Sequence, residues 1–370
     1  MPEPGALRVA LVLGTSAGGV GRHVAALAAG LTEAGHHVVV CGPAATADAF
    51  DFAATGACFE PVEVTDRPRP VGDLRAVRGL RGLLRDVDVV HAHGLRAGGL
   101  AVLALRSLGR SRPPLVVTLH NALLGHGAVA VAYGVLERVV ARGAATVLGV
   151  SADLEDRMRA LGARRVGHAV VPAPAGRPAR RTPEEVRAGL GVDGPLVVTV
   201  ARLAEQKGLP LLLDAAALLG RRSPRPVFVV AGDGPLEDAL RTRIDAERLP
   251  VRLLGRRADV ADLFTAADVA VCPSVWEGQP LVVQEALRAG APLVATAVGG
   301  VPAMVGDAAV LVAYGDAAAL AAAIGELLDD PAARERLSAA ARVRARTFPD
   351  EAAAVAAAVE VYRALGATPR

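Results

Sequence analysis

Lysine is almost absent from this chain. Of the 41 basic side chains in 370 residues, Lys207 alone is a lysine and the rest are arginines. A drift toward arginine accounts for the bias, and it makes the one remaining ammonium a candidate point-charge ligand. Aromatic residues make up only 3%, with a single Trp, so any core must be aliphatic. No Lys/Arg block is interleaved with aromatics, which speaks against a nucleic-acid partner. The three cysteines, Cys41, Cys58 and Cys272, are scattered without a CxxC. They exclude a disulfide or zinc framework and read as buried thiols of a reducing compartment. No run of 18 apolar residues occurs, so no membrane span is expected. The N-terminal MPEPGALRVALVLGTSAGG lacks a cationic leader region and reads as a first β-strand, not a signal peptide. A cytoplasmic chain, at most lying on a membrane surface, is the expectation.

What is present is an alternation of short apolar runs and helical stretches, over a length that fits two domains. In the first half, strands are expected at Leu7–Leu13, His37–Val40, Val87–His91, Leu115–Leu119 and Thr146–Val150, with helices near Val20–Ala34, Val71–Arg85, Arg96–Leu108 and Ala128–Arg142. Ser151 with Asp153 is expected to cap a further helix. The segment from Val171 to Gly194 is rich in Pro, Gly and Arg and reads as a linker, with a short helix begun by Thr182-Pro183-Glu184-Glu185. A second alternation follows, with strands at Leu196–Ala201, Val227–Ala231, Val251–Leu254, Val269–Cys272 and Leu293–Thr296. An Ala/Leu-rich helical tail is broken near Pro331 and Pro349. The expected fold is α/β: two doubly wound Rossmann-like domains, 1–175 and 195–347, joined by a linker at 176–194. A helix at 348–370 would pack back on the first domain. Ligands of such sheets bind at the carboxyl ends of the strands, and every motif below falls at one.

The stretch CPSVWEGQPLVVQEALRAGAPLVATAVGG, from Cys272 to Gly300, carries the most chemistry. A helix from about Pro280 to Arg288 has Pro at its first turn, which leaves the N–H groups of Leu281 and Val282 at the positive end of the helix dipole. Val283, Ala286, Leu287 and Gly290 form its buried stripe, with Glu285 on another face. Glu277 and Glu285 thus flank an anion site, an arrangement that makes sense if each carboxylate binds sugar or ribose hydroxyls. A plain βαβ unit, with Glu285 pairing weakly with Arg288, is the other reading.

Arg202 and Lys207 follow the first strand of the second domain. A fixed guanidinium fork and a mobile ammonium suit a diphosphate, although two solvated surface cations would look the same. Ala231-Gly232-Asp233-Gly234-Pro235 is a strand-to-helix turn bordering that site, with backbone more important than Asp233. Gly18 and Gly19 in GTSAGGVG could bring backbone amides to a phosphate or sugar, yet the spacing is not that of a dinucleotide fingerprint. His91-Ala92-His93 ends one strand and His120 another. No third ligand sits at metal spacing, the HxH rings are expected on opposite faces, and His91 is expected buried and hydrogen-bonded. His120 is the better candidate for a site, and the other histidines look incidental.

Taken in order, Arg202-x4-Lys207-Gly208, AGDGP at 231–235 and Glu277-x7-Glu285 followed by AGAPLVATAVGGVP resemble the donor half of the retaining glycosyltransferases of family 4, of GT-B fold. GGVGRHV at 18–24, HAHG at 91–94, VVTLH at 116–120 and GVSADL at 149–154 are similar to the other half, so the resemblance spans nearly the whole chain. It implies two domains facing each other across a cleft and transfer of a sugar from a nucleoside-diphosphate donor, such as a UDP- or GDP-sugar, to a small-molecule, glycan or lipid-linked acceptor. It implies that Arg202 and Lys207 hold the diphosphate and that the amides of Leu281 and Val282 bind phosphate oxygens. Glu285 would bind the ribose, Glu277 the transferred sugar, and Gly278 would line the same donor site. Gly18, Gly19, Gly232 and Gly234 would border the donor, Arg256 would lie near the base, and His120 would polarise the reacting sugar. No cofactor and no metal are implied.

Two departures stand out. Ala303 follows GG-x-P where the family commonly has Glu, and Val171-Pro172-Ala173-Pro174 replaces a Pro-Asn-Gly before the linker. A GT-B epimerase or phosphorylase, or a nucleotide-sugar-binding protein without turnover, remain alternatives. Arg75, Arg78, Arg81 and Arg85 put cations on one helical face, which reads either as a solvated face or as contact with anionic lipid. The loop Asn121–Gly127 is expected to influence acceptor choice.

Overall fold

The computed structural model describes residues 5–16, 18–65, 67–122, 127–173 and 178–367. Its chain forms two compact units, Met1–Pro172 with Pro349–Arg370, and Ala173–Phe348.

The first unit runs β1 (Arg8–Leu13), α1 (Gly19–Glu33), β2 (His37–Gly42), α2 (Ala44–Phe50), β3 (Cys58–Pro61), α3 (Pro70–Leu83), β4 (Val89–His93), α4 (Leu95–Arg106), β5 (Leu115–Leu119), α5 (Gly127–Gly143), β6 (Thr146–Gly149), α6 (Ala152–Ala160) and β7 (Val166–His168). Its strands form one parallel sheet in the order β3-β2-β1-β4-β5-β6-β7. The inner strands β1, β2, β4, β5 and β6 are buried and mostly Val/Leu because helices cover both faces. The second unit continues with α7 (Pro183–Leu190), β8 (Leu196–Val200), α8 (Leu209–Leu219), β9 (Val227–Ala231), α9 (Glu237–Glu247), β10 (Val251–Leu253), α10 (Val260–Ala266), β11 (Val269–Cys272), α11 (Leu281–Ala289), β12 (Leu293–Thr296), α12 (Val301–Val305), β13 (Val310–Val312), α13 (Ala317–Asp329) and α14 (Pro331–Ala345). Its parallel sheet has the order β10-β9-β8-β11-β12-β13. Alternate strand residues feed two separate cores. Val197, Phe228 and Val230 pack under α8, α9 and α13, while Leu196, Val198 and Val229 pack under α7, α10 and α11, as the period of two requires.

The last helix, α15 (Glu351–Ala364), returns to the first unit and lies against α1. The approach is close: a Cβ on Gly30 of α1 would sit 2.5 Å from Val355. Tyr362 of α15 is fully buried there.

Sequence reasoning passed over β3, β7 and β13. Each is an edge strand of three or four residues, too short to show a hydrophobic period and only partly buried. Inside the stretch read as linker, Thr182 and Glu185 form a reciprocal capping box that starts α7. That helix packs on α10 within the second unit. Ser151 stands at the start of α6, but its hydroxyl makes no cap bond and is buried without a partner among the described residues. Asp153 and Glu155 occupy that helix's first turn instead. Cys58 departs from expectation as well: on an edge strand it is exposed, while Cys41 and Cys272 are buried. No helix among the described residues is long and apolar enough to cross a membrane.

Candidate active site

In the second unit the strand order reverses between β8 and β11, and ligands of open α/β sheets bind at that switch point. Arg202 and Lys207 lie on the loop leaving β8, and Glu277 lies on the loop leaving β11. Two left-handed glycines hold the loops together. A Cβ on Gly208 (φ 60°) would fall 2.0 Å from the Pro273 carbonyl oxygen, and one on Gly299 (φ 51°) 1.9 Å from that of Glu277. Gln206 adds a bond from Nε2 to the Trp276 carbonyl (3.0 Å) and accepts the Val275 N–H on its own carbonyl (2.8 Å).

Lys207 Nζ donates to Glu277 Oε1 at 2.6 Å, and Ser274 Oγ donates to the same oxygen at 2.6 Å. Both acceptor sites of Oε1 are therefore used, and Oε2 is left as the acceptor oriented by them. Glu277 and Ser274 are buried, and Thr296 Oγ1 fixes the Ser274 carbonyl at 2.6 Å. Beneath them lies the Cys272 thiol, 3.6 Å from Ser274 Oγ, pushed up to about 11 by burial and by the nearby Glu277 charge. The thiol is therefore a packing group and not a nucleophile.

AGDGP acts through its backbone. A Cβ on Gly232 would lie 1.9 Å from the Ala201 carbonyl oxygen, and one on Gly234 2.5 Å from that of Leu203. Leu203 N–H donates to the Asp233 carbonyl at 2.8 Å and Leu236 N–H to the Leu203 carbonyl at 2.9 Å. The turn thus clamps the residues on either side of Arg202, whose exposed guanidinium has no ion pair among the described residues. Gly232 N–H also donates to the Gly255 carbonyl at 2.8 Å, which ties the loop bearing exposed Arg256 to this turn.

Helix α11 begins at Leu281, one residue later than read from sequence. Pro280 is the cap, extended at ψ 113°, because the first turn closes on its carbonyl through the N–H groups of Val283 (3.1 Å) and Gln284 (3.3 Å). The amides of Leu281 and Val282 have no acceptor among the described residues, as the helix-start reading requires. Val283, Gln284, Ala286 and Leu287 are buried, and Gly290 (φ 72°) ends the helix. Gly278 is buried on the approach to it, and Glu285 is half-buried on its second turn. Ala303, in α12, is exposed, and its carbonyl accepts from Arg344 at 2.7 Å.

The other sequence candidates lie in the first unit. Gly18 caps α1, which begins at Gly19; both are exposed, and a Cβ on Gly18 would meet nothing. His120, just past β5, belongs to a group of four histidines. His93 Nδ1 and His120 Nε2 share a hydrogen bond of 3.2 Å, and His23 of α1 meets both rings edge-on at 5.5 and 5.6 Å between centroids. His91 is bonded on both sides, to Tyr362 Oη and to Thr118 Oγ1, each at 2.7 Å.

His91 and His93 do not diverge. They stack at 4.2 Å, because residues two apart on a strand share a face. His23, read as incidental, therefore belongs to the group, and the signal was the period of two together with GRHV at the start of α1. Burial holds all four rings neutral, with His23 lowered to about 4, His91 to about 3, and His93 and His120 well below the usual value. Among the described residues no group of three or more His, Cys, Asp or Glu could hold a metal ion. Most of the loop Asn121–Gly127, residues 123–126, lies outside the described residues, as do Pro174 and the rest of 174–177.

Two doubly wound parallel sheets, one with cations, a buried carboxylate and open helix amides at its switch point, define an α/β protein of the glycosyltransferase GT-B type. The chain belongs to the glycosyl transferases group 1, the family 4 type: that family's model matches residues 182–344, and the glycosyl transferase 4-like domain matches 18–174. It is 36% identical to a D-inositol 3-phosphate glycosyltransferase of Xylanimonas cellulosilytica, over 74% of this chain and 71% of that one. It is 30% identical to a glycogen synthase of Mycobacterium tuberculosis, over 94% and 91%. Among solved structures, Anabaena HepE in complex with UDP-glucose shares the fold with a TM-score of 0.80, at 22% identity over 97% of this chain and all of that one. The protein is thus a glycosyltransferase, a hexosyltransferase enzyme.

Proposed function

We propose that this glycosyltransferase takes its sugar from a nucleoside-diphosphate donor, a UDP- or GDP-sugar, and transfers it with retention and without a metal. The observation that carries the reading is that the loop with Arg202 and Lys207 and the loop leading to the open amides of Leu281 and Val282 leave adjacent strands at one switch point and are joined by the Lys207–Glu277 bond. Breaking the bond between the anomeric carbon and the diphosphate puts negative charge on the leaving group. Two cations and a helix N-terminus fixed in advance stabilise that charge as it develops. Among relatives of the same fold, HepE was crystallised with UDP-glucose, which agrees with a uridine nucleotide as donor.

In this reading Lys207 spans Glu277 and the diphosphate, and Glu277 Oε2 accepts from a hydroxyl of the transferred sugar. Glu285 binds the ribose, while Gly278 and the glycines of AGDGP leave room for the donor's backbone contacts. Gly18, Gly19 and Arg256 keep the donor-binding roles that the family suggests. His120 stays neutral near pH 7 and serves as a hydrogen-bonding, polarising group, not as an acid. The acceptor attacks on the face the diphosphate leaves, which gives retention without a protein nucleophile.

The test is a panel of UDP-, GDP- and ADP-sugars in EDTA, with the product's anomeric configuration read by NMR. Turnover of one nucleotide class in EDTA with the donor configuration kept is the expected result. Inversion, or activity that returns only with added divalent metal, contradicts the reading.

A further inference from the structure

The described residues include eight large hydrophobic side chains that are markedly exposed, and five of them lie on three adjoining helices. Val71 and Leu74 are on α3, Leu103 on α4, and Val131 and Val135 on α5, each between 45% and 70% exposed; the other three, Leu218, Tyr314 and Val343, are spread over the second unit. The three helices are neighbours: α3 packs on α4, α4 packs on α5, and α4 also lies on β1, β4 and β5. They form one layer over a sheet face, so exposed side chains on them point away from the sheet.

Charge follows the same layer. Residues 70–143 hold ten arginines and four carboxylates, a formal +6 where the whole chain carries +3. Arg75, Arg78, Arg81, Arg85, Arg106, Arg138 and Arg142 are exposed. Of the four carboxylates, Asp73 is paired with Arg96, Asp88 with Arg8, and Glu137 with Arg157; only Asp86 is exposed without an ion pair among the described residues. Five exposed apolar side chains on the layer that carries this charge give its outer side both parts of an interfacial surface.

We propose that the outer face of α3, α4 and α5 docks on an anionic lipid surface. The guanidinium groups take the phosphates of the headgroups while their stems and the Val/Leu side chains enter the headgroup–acyl boundary. Neither part suffices alone: the apolar patch is too small for stable insertion, and arginines alone would hold any polyanion. This inference does not depend on the donor assignment, because none of these residues belongs to the donor site.

The experiment is co-sedimentation of the full chain with phosphatidylcholine vesicles, plain or carrying about 30% phosphatidylglycerol. Binding to the anionic vesicles alone, lost at high salt, is expected. Arg75→Glu/Arg78→Glu/Arg81→Glu should weaken it by about tenfold or more, and Val131→Ser/Val135→Ser should weaken it measurably at unchanged charge. Arg221→Glu/Arg346→Glu in the second unit should leave it as it was, with thermal melts checking that each variant is folded. In a Cys58→Ser/Val135→Cys protein, an environment-sensitive dye on the introduced thiol should shift to the blue on anionic vesicles. No binding to anionic vesicles at low salt overturns the proposal. So does equal binding by all variants, no dye shift, or tight binding to RNA with none to vesicles.

Discussion

All eight histidines lie at or before position 168, so the second unit has none, and lowering the pH tests the two units separately. Four of these rings, His23, His91, His93 and His120, are held neutral in the fold by burial, with His23 lowered to about 4 and His91 to about 3. The unfolded chain titrates them near the usual 6.5. A base whose pKa is lowered by folding contributes its full stability above 6.5, and loses it as pH falls from 6.5 toward the folded value. At pH 5 each ring that stays neutral in the fold favours the unfolded state by about 2 kcal/mol. His23 and His91 together then cost about 4 kcal/mol, with His93 and His120 acting in the same direction. That is a large share of the roughly 5–15 kcal/mol that holds a domain folded. The assay is urea unfolding at pH 7.5 and at pH 5. Hydrogen exchange would follow peptides of β4 and β5, and emission from Trp276, the only tryptophan, would report the second unit. The first unit's midpoint should fall by more than about 1 M urea while the Trp276 transition moves far less. If the two transitions shift together, or the first unit loses less than about 1 kcal/mol, the reasoning about the buried histidines is wrong.

Other consequences concern the second unit. Gly232→Ala places a methyl group 1.9 Å from the Ala201 carbonyl at a φ of 148°. It should destabilise by about 1–3 kcal/mol and, by displacing Arg202, weaken donor binding more than Gly189→Ala, a helical position of α7 whose Cβ meets nothing; urea melts and donor titration separate the two effects. Ser274→Ala removes one of the two donors on Glu277 Oε1 and should lower kcat by about tenfold with little change in KM for the acceptor. Ser274→Thr should restore most of it, and a variant with unchanged kcat would show that the bond does not position the carboxylate. Glu277→Gln should lower kcat/KM by about a hundredfold or more through poorer sugar positioning while leaving the pH–rate profile unshifted. Loss of its alkaline limb would mark Glu277 as a general acid instead.

The doubly wound architecture was legible because strands such as VALVL and LVVTV are apolar on both faces and alternate with helical periods. The edge strands were not, since three or four half-exposed residues leave no period to read. The loops of the second unit were legible from their glycines, and Gly208, Gly232, Gly234 and Gly299 are each required by a close backbone approach. What the sequence withheld is the pairing across those loops: nothing in it says that Lys207 meets Glu277, or that Ser274 shares the same oxygen. In the first unit the HxH spacing was visible, but His23 and Tyr362 reach that group from α1 and α15, and only the fold brings such distant segments together.

In the proposed function, Arg202, Lys207 and the start of α11 form a diphosphate site. Calorimetric titration of the nucleoside diphosphate that supports turnover, against the native chain and an Arg202→Ala/Lys207→Ala variant, tests it directly. Removing both cations from the phosphate oxygens should weaken binding by about a hundredfold or more, and an Arg202→Ala single variant, which keeps the Lys207–Glu277 pair, should weaken it too while its stability reported by Trp276 stays within about 1 kcal/mol. Undiminished affinity in the double variant would place the diphosphate elsewhere and contradict the account.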